Sequence, residues 1–339
     1  MLRGRIEWLD MFRGVAAILV VLYHFREYVG LPWLEFGFVA VDLFFVLSGV
    51  VLGLRYAESI EHGMPFRDFA LARLKRLYPM TFIAGLFVVM LDLLGLPSGI
   101  WAPASDFGAW TVFLLIPYPS HLKVRGAFPA DGPVWSLWAE LASNVVWFVA
   151  VRLAGRWMQI LGTASFLAML YLAWKFQTLD YGAWQGLFTR FASLVRATAW
   201  FSVGYWIAIA NPRVPAPPPL LLAVLAAAMA ASASGVRPAW LVSVITVGVG
   251  SLLIASLRRA APPGRSVARI ARWLGMASFP MYLVHAPAGR LLPLVPGMAH
   301  PVALVLVIGT STVLATLLNE AAMRALHRKK SPLPAPVPA

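Results

Sequence analysis

Long apolar runs broken by short polar stretches set the pattern of this chain. Ten runs stand out, near residues 12–29, 37–54, 80–97, 134–153, 160–175, 194–210, 218–234, 240–257, 273–292 and 301–322. Each is close to the roughly 20 residues that a helix needs to cross a hydrocarbon core of about 30 Å. The pattern predicts an all-α, polytopic integral membrane protein with about ten transmembrane helices. A shorter apolar piece, Phe107 to Ile116, cannot cross and suits an interfacial or re-entrant helix. It lies in the longest segment between runs, 98–133, where Pro103, Pro117, Pro119, Pro129 and Pro133 stand among aromatics. Connections of this length are commonly functional or disordered. Residues 1–330 read as a single membrane domain without an internal repeat, and 331–339 as a Pro-rich disordered tail.

Composition agrees. Only 12% of residues are charged and 60% are hydrophobic, whereas a soluble domain carries about 25% charged residues. The absence of cysteine excludes disulfides and thiolate metal sites. The six histidines form no HxxxH or HExxH pair, so no metal site is expected. A net charge of +14 on a soluble domain would suggest nucleic acid. Here the basic residues are scattered over short loops between spans, so the expected partner is anionic membrane lipid and not nucleic acid. With the N-terminus in the cytoplasm, 20 of the 28 Lys and Arg fall on the cytoplasmic side, and the opposite orientation inverts the bias. An N-in, C-in topology follows. Met1-Leu2-Arg3-Gly4-Arg5 looks like a signal-peptide start, but no small-x-small cleavage site follows, so a retained first span is expected.

Two ionisable residues interrupt the first run. Arg13 and His24 are eleven residues apart. At about 100° per residue they differ by roughly 20° after whole turns and so share one helix face, about 16 Å apart along the axis. Each costs on the order of 2.5–3.5 kcal/mol to insert, which makes an intramembrane pair of this kind a functional candidate.

Further polar groups recur in other spans. Phe44-Phe45-Val46-Leu47-Ser48-Gly49 follows Asp42 in the second, and Arg73-Leu74-Lys75-Arg76 precedes the third. Trp135-Ser136-Leu137-Trp138-Ala139-Glu140 opens the fourth, and Ser278 to His285 lies in the ninth. Taken in order, these segments resemble acyltransferase family 3, a family of integral membrane, acyl-CoA-dependent O-acyltransferases. Arg13 and His24 match its Arg-x10-His pair, Phe44 to Gly49 its FFxLSG stretch, and Trp135 to Glu140 its WSLxxE motif. Ser278 to His285 is similar to its S-x-x-LYLxH segment, with Pro280-Met281 replacing the usual residues. The likeness extends from about residue 6 to 325. One departure is Ala72, where relatives often begin an Arg-Arg-x-x-Arg cluster; Arg73 and Arg76 remain, with Lys75 beside them. An appended esterase-like domain, which some relatives carry, is not expected.

The resemblance implies transfer of an acyl group, often acetyl, from cytoplasmic acyl-CoA to a hydroxyl, usually of a cell-surface glycan. The expected location is the bacterial cytoplasmic (inner) membrane. The donor is a co-substrate, and no permanently bound cofactor is expected.

Each candidate has a functional and a structural reading. His24 can act as general base toward an acceptor hydroxyl, or be a hydrogen-bonded interfacial histidine. Arg13 can anchor donor phosphates, raise the local potential or pair with Asp10, or simply snorkel to the interface. Arg73, Lys75 and Arg76 suit the phosphates of coenzyme A, though the positive-inside bias alone accounts for their sign. Glu140 shares a face with Ser136 and can hold a substrate hydroxyl, pair with an arginine or orient His24. Asp42 can likewise orient His24 or cap its helix. Ser136, Trp135, Tyr282 and His285 are candidates for the acceptor path, and Trp101 and Trp110 for glycan stacking, although interfacial aromatics are common in membrane proteins. Glu320 is expected to pair with a neighbouring arginine. The rival to an acyltransferase is a transporter or flippase whose intramembrane charges line a pathway. Such proteins often show repeat symmetry and interrupted helices, which are absent from this pattern.

Overall fold

The computed structural model describes residues 5–96, 108–118, 127–153, 155–182, 186–234 and 238–328. The chain runs through α1 (Glu7–His24), α2 (Val39–Glu61), α3 (Phe66–Leu93), a short α4 (Gly108–Leu114), α5 (Val134–Leu153), α6 (Gly155–Phe176), α7 (Leu187–Ala210), α8 (Pro218–Ala233), α9 (Ala239–Arg259), α10 (Arg265–Ala288) and α11 (His300–Arg328). Two 3-10 segments, Pro32–Phe38 and Gly289–Leu294, lead into α2 and out of α10. No strand occurs among the described residues. Each of the ten apolar runs overlaps one long helix. Six helical stretches are long and apolar enough to cross a membrane: Leu34–Glu61, Phe66–Leu93, Val134–Leu153, Arg156–Phe176, Ala239–Arg259 and His300–Leu326. The piece expected to be too short to cross is α4. Its Phe113 ring fits against Gly85 of α3 and lies 5.5 Å from the Phe82 ring. The Pro-rich tail and Trp101 lie outside the described residues.

Two boundaries differ from the sequence reading. α1 begins earlier and ends at His24, because the chain turns over residues 25–30. Gly30, at φ +72°, takes a left-handed conformation that a side chain would resist, and Pro32 opens the 3-10 segment. α3 begins at Phe66, so Arg73, Lys75 and Arg76 belong to its first turns and not to a loop before it. Pro79 therefore lies inside a helix, where its missing N–H leaves the carbonyl one turn earlier without its usual donor.

Small residues bring the central helices together. A Cβ on Gly204 of α7 would collide with the Val46 carbonyl of α2, and one on Gly49 of α2 with the Phe201 carbonyl of α7. Lipid tails are as apolar as side chains, so close packing of this kind drives helix association in a bilayer. α1 and α10 run parallel and are equally close, with Gly14 against Leu274 and Gly275 against Asp10. Trp147, Trp200, Phe69 and Phe201 fill the interior. Leu86, Met90 and Leu93 on α3 and Val305, Leu314 and Leu317 on α11 point outward. Such faces would aggregate in water, and a bilayer solvates them.

Candidate active site

A polar seam runs between α1 and α10. At its lower end, Arg13 Nη2 donates to Asp10 Oδ1 and to the Gly275 carbonyl, both at 2.9 Å. Its Nε donates to Ser278 Oγ at 3.1 Å, and Ser278 in turn donates to the Gly275 carbonyl at 2.9 Å. Asp10 also receives Arg5, so one carboxylate sits between two guanidinium groups. α1 is continuous from Arg13 to His24, so the shared face expected from their spacing holds.

At the upper end, His24 Nδ1 lies 2.8 Å from the Val20 carbonyl oxygen and 3.2 Å from His285 Nε2. His285, fully buried, places its own Nδ1 2.8 Å from the Tyr282 carbonyl and 3.2 Å from that of Met281. A carbonyl oxygen only accepts, so Nδ1 carries the proton in both rings. His24 Nε2 then bears the lone pair. One turn below His285, the Tyr282 hydroxyl is 2.5 Å from Ser136 Oγ and donates to the Pro133 carbonyl at 3.0 Å. Tyr282 and Ser136 therefore fasten α10 to the start of α5.

His24 lines a cavity of about 780 Å³ beside the turn that follows α1. Its other walls include Arg26, Tyr28, Arg290, Met298 and His300. The Tyr28 and His300 rings stack 4.3 Å apart and only 19° from parallel. The volume suits a small organic ligand, since such sites typically span about 300–1,000 Å³. Arg290 is held by Asp92, so one wall cation is tied to α3.

A second polar centre lies among α2, α3 and α5. Glu140 Oε1 receives Arg73 Nη2 at 2.7 Å and Ser48 Oγ at 2.6 Å. Asn144 is oriented so that its amide nitrogen donates to the Glu140 carbonyl at 3.2 Å and its oxygen accepts from Arg73 Nε at 3.3 Å. Arg76, one turn beyond Arg73, has no salt bridge among the described residues and lies within electrostatic range of Arg73, Arg13, Glu140 and Arg55. Lys75 is exposed and projects about 200° from Arg73 around the helix. The three cations of the sequence cluster are thus not equivalent. Arg73 is tied to Glu140, Arg76 lies one turn along the same side of the helix, and Lys75 is on the other side. Such a group can take the phosphates of a nucleotide donor.

Asp42 does not meet His24. Its two oxygens receive Arg196 Nε and Nη2 at 2.7 and 2.8 Å, and both side chains are buried. Arg196 is further held by the Tyr181 carbonyl and lies 5.6 Å from the centre of the Trp135 ring. Trp135 is thus next to this ion pair, while Trp110 is exposed on α4. Asp180, near the upper end, accepts a hydrogen bond from Tyr23 at 2.9 Å and lies within electrostatic range of His24. Sequence reasoning missed Asp180, Tyr23, Arg196 and Asn144. Only Asn144 had a local signal, one helical turn after Glu140. Glu320 meets Arg324 at 3.8 Å on α11.

This arrangement joins a histidine at a cavity to an arginine further along the same helix pair. Comparison with known proteins gives a matching picture. Over 155 residues the chain is 36% identical to protein 2 in the picA locus of Rhizobium radiobacter, covering 41% of this chain and 78% of that protein. The putative peptidoglycan O-acetyltransferase YrhL of Bacillus subtilis is 31% identical over 42% of this chain and 23% of its own length. The peptidoglycan O-acetyltransferase OatA of Listeria monocytogenes is 26% identical over 46% of this chain and 26% of its own. The chain thus covers about a quarter of those two longer relatives. No solved structure matches it. The family model described as the acyltransferase domain matches residues 6–320, nearly the whole chain. The chain is an integral membrane acyltransferase and belongs to acyltransferase family 3.

Proposed function

We propose that this enzyme moves an acyl group, acetyl in the first instance, from cytoplasmic acyl-CoA to a hydroxyl of a cell-surface glycan or another extracytoplasmic acceptor. In this reading all ten long helices cross the inner membrane, with both ends of the domain in the cytoplasm. The cytoplasmic end of the seam holds the donor. Arg76 takes its phosphates, while Arg13 and Arg73, each already neutralised in part by a carboxylate, shape the field around them. The pantetheine arm follows the α1–α10 seam toward His24. The acceptor enters the cavity lined by His24 and Tyr28, and the stacked Tyr28–His300 rings offer a flat face to a sugar.

The observation that carries the reading is the state of His24. Its Nδ1 proton is committed to the Val20 carbonyl, so Nε2 is the basic atom, on a ring that lines the cavity. Nε2 takes the acceptor's hydroxyl proton as the hydroxyl oxygen bonds to the acyl carbon. The C–S bond breaks, and the departing thiolate receives the proton from His24. The relatives named as O-acetyltransferases support acetyl as the group and a glycan as the acceptor class.

The test is coenzyme A release by purified protein in nanodiscs, wild type against His24→Ala, with acetyl-CoA and a surface-glycan extract. Release that requires both the extract and His24 supports acyl transfer. Movement of a glycan across the bilayer without acyl-CoA, and no release from folded wild type, would favour the transporter reading instead.

A further inference from the structure

The partner of a catalytic histidine is usually a carboxylate, yet the acids in α2 and α5 are engaged elsewhere, Asp42 by Arg196 and Glu140 by Arg73. The ring that meets His24 is another imidazole. We infer that His285 is the positioning residue of His24, holding it in the tautomer that exposes Nε2 as the base; this rests on the reading of His24 as the base of acyl transfer.

The argument follows the protons. The Tyr282 and Met281 carbonyls accept from His285 Nδ1, so His285 Nε2 bears a lone pair when the ring is neutral. That lone pair stands 3.2 Å from His24 Nδ1, which must be a donor because the Val20 carbonyl also accepts from it. The His24 proton is therefore shared between two acceptors on two helices. Rotation of the His24 ring by 180° would lose both bonds, and the other tautomer would set the His24 Nδ1 lone pair against both the Val20 carbonyl oxygen and the His285 Nε2 lone pair. When Nε2 takes a proton, positive charge spreads to Nδ1–H, which already points at an acceptor and needs no rearrangement. His285 is fully buried, and its ring centroid is 4.9 Å from that of His24, so the pair is fixed by packing as well as by hydrogen bonds. Tyr282, tied to Ser136 and Pro133, anchors the turn of α10 that presents His285.

The experiment uses full-length protein in nanodiscs with 15N-labelled histidine. The His24 signals are assigned by their loss in His24→Gln. Wild type is expected to show His24 with Nδ1 protonated and Nε2 bare. His285→Leu removes the acceptor and is expected to mix the tautomers and lower kcat about 10- to 100-fold, with KM for acetyl-CoA unchanged. His285→Gln puts an amide oxygen near the lost Nε2 and is expected to restore the tautomer and most of kcat. A His24 tautomer unchanged in His285→Leu overturns the inference, and so does a Gln variant that matches Leu in both readouts. Failure of the transferase reading shows itself separately, as wild type that releases no coenzyme A while the tautomer signals respond to position 285.

Discussion

Gly275 and Asp10 meet so closely that a Cβ on the glycine would stand 2.6 Å from the aspartate's Oδ1. The same Oδ1 accepts from Arg13, and the Gly275 carbonyl accepts from Arg13 as well. Replacement of one hydrogen by a methyl group therefore acts on the position of the guanidinium. Gly275→Ala is expected to cost about 1–3 kcal/mol as an overpacking change and to reduce coenzyme A release about tenfold or more. A thermal melt beside the activity assay measures both. Wild-type turnover in the variant would show that Arg13 need not be held where it is.

The two cations of α3 that differ in direction should differ in effect. Arg76→Ala is expected to raise KM for acetyl-CoA about five- to tenfold, because a phosphate loses a charge-assisted contact. Lys75→Ala, about 200° round the helix from Arg73, is expected to leave KM within about twofold. Titrations of donor at saturating acceptor compare them. Equal losses in both variants would mean that only the overall positive charge matters.

Asp42 and Arg196 form the most enclosed ion pair described, with side-chain exposures of 0% and 1%. Removing one partner strands the other charge, so Asp42→Leu is expected to cost about 3–5 kcal/mol. Adding Arg196→Met should recover much of that loss, since an apolar pair of similar volume leaves no buried charge. Unfolding in detergent across the double-mutant cycle reads the coupling. Additive losses would show that the pair contributes no mutual stabilisation.

Asp131, just before α5, is fully buried, and neither carboxyl oxygen has a hydrogen-bond partner among the described residues. Burial pushes this carboxyl well above the usual carboxylate range. The folded state thus holds a proton that the unfolded chain has released, and stability falls as pH rises from about 4 toward the raised folded value. Asp131→Asn carries no such proton. It is expected to stabilise the protein at neutral pH by on the order of 1–3 kcal/mol, and to do little near pH 4. Melts of both proteins from pH 4 to 8 decide it; a variant less stable than wild type at pH 7 would show that the carboxylate has a role there.

What the sequence disclosed and what it withheld divide along the range of the interactions. The ten helices follow from runs of apolar residues, and the shared face of Arg13 and His24 follows from an eleven-residue spacing on one helix. Both are local properties. The partners of the acids are not. Nothing near Asp42 announces Arg196, which stands on α7 and looks from its sequence position like an outer-edge cation. Nothing near Glu140 announces Arg73, because Pro79 makes the start of α3 read as a loop. His285 was legible as a polar group on the ninth span, but its meeting with His24 depends on α1 and α10 lying parallel with Gly14 and Gly275 between them.

The two parallel helices are joined by Arg272 to Glu7, by Arg13 to Gly275 and Ser278, and by His24 to His285. Together they behave as a caliper. One added residue between Arg13 and His24 would lift the histidine by about 1.5 Å and swing it about 100° from the seam, while the rungs on α10 stayed in place. The number of residues between Arg13 and His24 is thus as constrained as the identity of buried Gly14, Ala17 and Val20 among them. In the proposed transfer, the span from the donor's phosphates to the reacting carbon would then be gauged by the length of a helix.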